Sequence, residues 1–341
     1  MTIVLVSFLA AALTTALVFR YLVSRNVLDI PNERSSHSAP TPRGGGVSIV
    51  LVFLLAIHWL EQKGVLAGSL VLALTGGGLA VALAGFLDDH FDLPARGRLA
   101  IHFVAAAFAL WQIDGMAPLH LGWTVLNWGW AGHILALIGV VWMINLYNFM
   151  DGIDGIAGVE AVCAGGAGAL LLAWSGLAGL AQSSAVLAAA SLGFLVFNWP
   201  PAKVFMGDAG SGFLGFAFAM LAIASAKEKP WLLWPWLILL AVFIADSMVT
   251  LIRRYRAGAR WYAPHCSHAY QHSARRRGHL KTTLAVAVIN LVWLFPMAWA
   301  ACIWPSAGPL CAAIAAAPLI FTAVRCRAGQ ETPVVQVAVR A

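Results

Sequence analysis

Apolar residues in this chain neither alternate nor mark out one stripe of a helix; they run almost unbroken for the length of a bilayer crossing. Such runs occupy 3–23, 46–60, 66–87, 98–113, 131–147, 156–175, 179–197, 209–226, 231–252, 282–303 and 306–325. A crossing helix needs about 20 mostly apolar residues, so the runs at 46 and 98 are short and the others sufficient. Backbone groups in lipid must bond internally, and the alternation of barrel strands is missing, so every run is expected to be helical. The pattern therefore predicts an all-α polytopic membrane protein, a bundle of about 11 transmembrane helices. Polar positions collect in five breaks, at 24–45, 88–97, 148–155, 198–208 and 253–281.

Composition removes the soluble alternatives, because 61% of residues are hydrophobic and only 10% are charged. The placement of positive charge then sets an orientation. Arg25, Arg43, Arg96, Arg98, Lys203 and the cluster from Arg253 to Lys281 all fall on one side, whereas the other keeps only Lys63, Lys227 and Lys229. The net charge of +7 is thus a cytoplasmic rim that attracts anionic lipid and anionic substrate, and no nucleic-acid partner is expected. The first run lacks a basic leader and reads as a retained helix. Five cysteines show no zinc-like spacing. One transmembrane domain is expected over 1–327, followed by a loose cytoplasmic tail at 328–341.

Chemistry-bearing residues sit almost wholly in the five breaks, at a single face. A transporter usually holds its solute near the midplane, so this one-sidedness suits an enzyme working where cytosol meets lipid. In "GFLDDHFDLPARGRL", Asp88, Asp89 and Asp92 are close enough to repel unless a cation or basic group offsets them, and carboxylates with phosphate oxygens are what Mg²⁺ prefers. Solvated acids at a helix end would look the same. In "NFMDGIDGIAG", Asp151 and Asp154 would share one face if the stretch were helical, with glycines that permit close approach; helix-starting acids favoured by the macrodipole are the plainer account. The stretch "FNWPPAKVFMGDAGSGFLG" interrupts a helix with two prolines, offers Lys203 as a point charge for phosphate, and places Asp208 at the positive start of the next helix. Asp208 could be an N-cap and no more. The last break, "RWYAPHCSHAYQHSARRRGH", carries His265, His268 and His272 among arginines, a set suited to a diphosphate. The first adds Asp29, Asn32, Arg34, His37, Arg43 and Gly44–Gly46, the glycines lacking the context of a phosphate-binding fingerprint.

Together these motifs resemble the polyprenyl-phosphate N-acetylhexosamine-1-phosphate transferase family, over about Leu28 to His279 and in the family's loop order. "FLDDHFD" is similar to its paired-aspartate motif, "NFMDGIDGIAG" to its nucleotide-binding loop and "NWPPAKVFMGDAGS" to its magnesium motif. The resemblance implies transfer of a sugar 1-phosphate from a UDP-N-acetylhexosamine to undecaprenyl phosphate, releasing UMP and initiating O-antigen or a related surface glycan. It implies Mg²⁺ (or Mn²⁺) on Asp208 with Asn198 nearby. Asn148, Phe149, Asp151, Gly152, Asp154 and Phe205 would surround the uridine and sugar phosphate. Asp88 would deprotonate or orient the lipid phosphate, assisted by Asp89, and His265 and His268 would contact the diphosphate or sugar. A multi-pass protein of the bacterial inner membrane follows, with an active site on the cytoplasmic face; a homodimer is compatible.

This sequence has "HCSHAYQH" where the muramoyl-pentapeptide transferases carry consecutive histidines, so it is more similar to the O-antigen branch. The pentapeptide transferase remains the alternative enzyme. A transporter with a carboxylate relay through Asp246, inside the run 231–252, is the alternative from another class.

Overall fold

A computed structural model describes residues 2–31, 39–91, 93–259 and 265–330. Asp92, Asn32, Arg34, His37 and most of the expected tail lie outside these. The described chain is a helical bundle: α1 (Thr2–Ser24), α2 (Val47–Gln62), α3 (Gly68–Phe91), α4 (Ala95–Gln112), α5 (Gly129–Met150), α6 (Ile156–Trp174), α7 (Ala178–Asn198), α8 (Gly207–Glu228), α9 (Leu233–Leu239), α10 (Ala241–Arg256), α11 (Ala269–Arg277), α12 (His279–Val288), α13 (Phe295–Ile303) and α14 (Gly308–Arg325). Two short antiparallel hairpins complete it, β1 (Leu28–Asp29) with β2 (Thr41–Pro42), and β3 (Leu119–His120) with β4 (Val125–Leu126).

Among the described residues eight helices are long and apolar enough to cross a membrane, or nine if α9 and α10 form one span. The short runs noted at 46 and 98 fall on α2 and α4, which do not pass that test. Nor is 231–252 one rod: α9 and α10 meet at Leu240 with a bend of 73°. By contrast α12 and α13 continue through a π-helical stretch at Ile289–Leu294 into one span of 25 residues.

α8 is the axis of the bundle. Phe213 and Phe216 are wholly buried against Gly77 and Gly78 of α3, and Phe218 is wholly buried on another side beside Tyr147 of α5 and Trp236 of α9, as expected for a helix apolar all round and enclosed by others. Small residues let its neighbours approach. A Cβ built on Gly46, at the start of α2, would lie 2.5 Å from the Cα of Gly210, so that contact is backbone against backbone. At the periphery α1 turns Leu5, Leu9, Leu13 and Leu17 outward, a fully apolar face that only lipid or another apolar partner would solvate.

Helix ends decide where the chemistry lies. α3 runs four residues beyond the expected boundary and carries Asp88 and Asp89 in its last turn. The starts of α4, α8, α11 and α12 and the ends of α5 and α7 meet it at the same end of the bundle. The tail also begins differently from expectation: Ala328 is buried and the Gly329 N–H donates to the Ser267 carbonyl at 2.7 Å, so residues 328–330 are packed against the last break.

Candidate active site

Three carboxylates and two guanidiniums form the centre. Arg43 enters because its segment pairs with the segment before α8: the Phe205 N–H donates to the Pro42 carbonyl at 2.8 Å, and the Gly45 N–H to the Phe205 carbonyl at 2.9 Å. From there Arg43 Nε donates to Asp89 Oδ1 at 2.8 Å, and its Nη2 donates to Asp208. Arg98, on the first turn of α4 after Pro94, donates to Asp88 and, at 3.2 Å, to Asp208 Oδ2. Asp88 is steadied further by the Leu93 N–H, 2.8 Å from its Oδ1.

Asp89 is the deepest member, its side chain 1% exposed. Its carboxylate accepts the Asp208 N–H at 3.0 Å and the Ala209 N–H at 3.5 Å, so it caps the positive start of α8. That geometry needs Gly207, whose φ of +77° favours glycine and whose missing Cβ would lie 2.5 Å from Asp89 Oδ2. Three acids against two arginines leave a formal excess of one negative charge. Burial opposes the charge on Arg43, but Asp208, Asp89 and Asp29 hold its guanidinium above the ordinary arginine value.

Around this centre lies a cavity of about 870 Å³. Every expected site residue lines it except Asp89, which is bonded to the Asp208 N–H, and Lys203, which is exposed outside the lining. Asn148 Nδ2 donates to Ser211 Oγ at 3.1 Å, tying α5 to α8. Phe149 places its ring 6.4 and 6.5 Å from those of His265 and His268, and its carbonyl accepts the Tyr270 hydroxyl at 2.9 Å. Gly152 leaves room for that hydroxyl and for Gln271. Burial pushes the Asp151 carboxyl well above the usual carboxylate range; Arg43 opposes this, while Asp208, Asp89 and Asp154 add to it. Burial likewise drives His265 down to about 3, with His268 and Arg254 adding to the effect.

Asp154 and Asn198 do other work. Asp154 Oδ2 accepts the Ala202 N–H at 3.1 Å, and His279 Nδ1 lies 3.2 Å from its Oδ1. The Asn198 amide accepts the Gly155 N–H at 3.0 Å and donates to the Val204 carbonyl at 2.9 Å. Both therefore brace the third break against the fourth, although each also borders the cavity.

Mg²⁺ takes hard oxygens, often one or two carboxylates completed by substrate phosphates and water. Among the described residues no three His, Cys, Asp or Glu side chains form a ready cage. Asp208 and Asp88, joined through Arg98 and open to the cavity, nevertheless fit an ion bound in that partial way. Asn198 fits less well as a direct ligand, because its amide is engaged by backbone at both ends.

Arg98 reads along the chain only as a topology charge, and Arg43 as one polar residue of the first break with no role assigned to it. The available signal was position, since Arg43 directly precedes the close-packed glycines and Arg98 lies ten residues after Asp88. On one flank the cavity continues along Leu99 and Phe103 of α4 and Ile138, Val141 and Trp142 of α5, an apolar wall beside a strongly polar floor.

Residues 71–226 match the family model described as Glycosyl transferase family 4. A decaprenyl-phosphate N-acetylglucosaminephosphotransferase of Mycobacterium tuberculosis is 30% identical over 83% of this chain and 77% of its own. An undecaprenyl-phosphate alpha-N-acetylglucosaminyl 1-phosphate transferase of Salmonella typhi is 29% identical over 81% and 79%. A phospho-N-acetylmuramoyl-pentapeptide-transferase of Geobacillus kaustophilus is 33% identical but over only 62% of this chain and 68% of its own.

Proposed function

Because the chain belongs to the polyprenyl-phosphate N-acetylhexosamine-1-phosphate transferase family, we propose that it moves N-acetylhexosamine 1-phosphate from a UDP-sugar to undecaprenyl phosphate at the cytoplasmic face of the inner membrane. The observation that carries this reading is the cavity that joins a floor of acids and arginines to an apolar wall. Such a surface suits two phosphates, one borne by a soluble nucleotide and the other by a lipid chain.

An oxygen of the lipid phosphate attacks the sugar-bearing phosphorus of the donor. A new P–O–P bond forms there, the bond to the uridine phosphate breaks, and UMP leaves with that electron pair. Asp88 orients the acceptor and takes its proton where the monoester arrives singly charged. Arg98 and Arg43 exchange carboxylate partners for phosphate oxygens, for which a guanidinium fork is well matched. Asn148, Phe149, Asp151 and Gly152 form the donor wall, while Asp154, Asn198 and Phe205 hold its segments in place. Asp208, with the donor's phosphates, would hold Mg²⁺, which supplies neutralisation of charge on the diphosphate and on the departing UMP. A covalent phospho-enzyme through Asp88 is the other mechanistic route.

The test is UMP release by purified protein given undecaprenyl phosphate, Mg²⁺ and a panel of UDP-N-acetylhexosamines, with UDP-N-acetylmuramoyl-pentapeptide as a further donor. Release with a plain N-acetylhexosamine donor supports the proposal. Turnover of the pentapeptide donor alone would move the protein to the peptidoglycan branch, and no release with any donor would refute the enzyme reading.

A further inference from the structure

Asp246 is a buried carboxylate of α10 that the reaction above leaves unused. Its partners are all donors. Oδ1 accepts from the Ala269 N–H at 2.8 Å and the Thr250 hydroxyl at 3.1 Å, and lies 3.2 Å from His268 Nδ1; Oδ2 accepts the Tyr270 N–H at 2.9 Å. A carboxylate so placed is an acceptor throughout, so the proton of that imidazole contact sits on Nδ1. Meanwhile His268 is 1% exposed and borders the cavity, and its buried Nε2 meets no hydrogen-bond partner among the described residues. One ring nitrogen is thus held by protein and the other left for something that enters.

We propose that Asp246 is a positioning residue which holds His268 by Nδ1 so that Nε2 serves the diphosphate of a nucleoside diphosphate sugar. A buried imidazole nitrogen without a partner loses hydration and gains nothing until a ligand arrives. With Nδ1–H held by Asp246, Nε2 is the nitrogen turned to the cavity, and when it carries a proton as well it can donate to a phosphate oxygen. His265 and Tyr270 are the other titratable groups whose rings lie beside it, Arg254 reaches the adjoining Ser267 hydroxyl, and Phe149 lies against the ring from the donor wall. Asp246 also caps α11 through Ala269 and Tyr270, so the same carboxylate docks the segment and aims its histidine. This inference rests on the transferase reading for the identity of the ligand, but not for the pairing of the two side chains.

Two measurements on the full-length protein decide it. First, ¹⁵N shifts of histidine-labelled wild-type protein, with His268 assigned by its loss in His268→Ala, should show Nδ1 protonated. An Nε2–H tautomer with a bare Nδ1 would overturn the proposal without any variant of Asp246. Second, kcat/KM for UDP-N-acetylglucosamine is compared in Asp246→Asn, His268→Ala and the double variant. A loss of about tenfold to a hundredfold is expected from Asp246→Asn when His268 is present, and almost none in the His268→Ala background, because the two act as one unit. Equal losses in both backgrounds would reduce Asp246 to a cap of α11. Should wild-type protein release no UMP with any donor, the transferase reading fails, and the ¹⁵N pattern still decides whether Asp246 holds His268.

Discussion

Two pairs of polar side chains border the same cavity and are held by different kinds of partner. Asp88 and Asp208 face it with guanidiniums as their main partners, whereas Asp154 and the neighbouring amide of Asn198 bind backbone groups of adjoining segments. Guanidiniums can be redistributed when phosphates arrive, because the incoming oxygens replace the carboxylates as acceptors. Backbone donors cannot be released without opening the fold. Polar residues in neighbouring segments thus divide, by the partners they meet, into those free to exchange an ion pair and those that hold the fold together.

Replacing the most central acid tests this division most severely. Asp208→Ala should cut kcat by about a hundredfold to a thousandfold with helix content by circular dichroism unchanged; retention of the wild-type rate would remove Asp208 from the reaction. Asp88→Asn should cost about a hundredfold, also without unfolding. Next, Arg98→Ala should weaken use of the lipid acceptor by about tenfold or more, as expected for one charge-assisted bond to phosphate, which the acceptor KM would report. An unchanged KM would leave Arg98 a structural counterion. On the bracing side, Asn198→Ala leaves one backbone donor and one acceptor unpaired and should lower stability by about 1–3 kcal/mol, seen as an earlier melting transition. If it instead abolished turnover at full stability, the contrast between the two groups would fail. Lys203→Ala should be the mildest, within about twofold in both rate and stability, since an exposed charge away from the cavity contributes little.

Much of this site was legible along the chain. The paired aspartates, the 148–154 segment, Asp208 and the histidines at 265 and 268 stand in motifs whose composition is unusual beside apolar runs. Arg43 and Arg98 were legible only as charge, because Arg43 meets Asp208 across 165 positions and nothing local says which acid a distant guanidinium will neutralise. Asp246 illustrates the same limit more sharply. In an apolar run it suggests a relay, and only the bend after α9 and the docking of α11 turn it toward His268.

The helices divide in the same way. Length and hydropathy by themselves determined that the chain crosses a bilayer many times, and the one-sided placement of polar residues determined that its chemistry lies at the helix ends. They could not distinguish α1, with hydropathy 2.3 and 17% of its span buried, from α8, with 1.7 and 100%. A lipid tail is as apolar as leucine, so hydropathy carries no information about whether a helix faces lipid or other helices. Only tertiary packing, through glycine contacts that bring α2 and α3 onto α8, made the latter the axis and put Asp208 at the centre of the site.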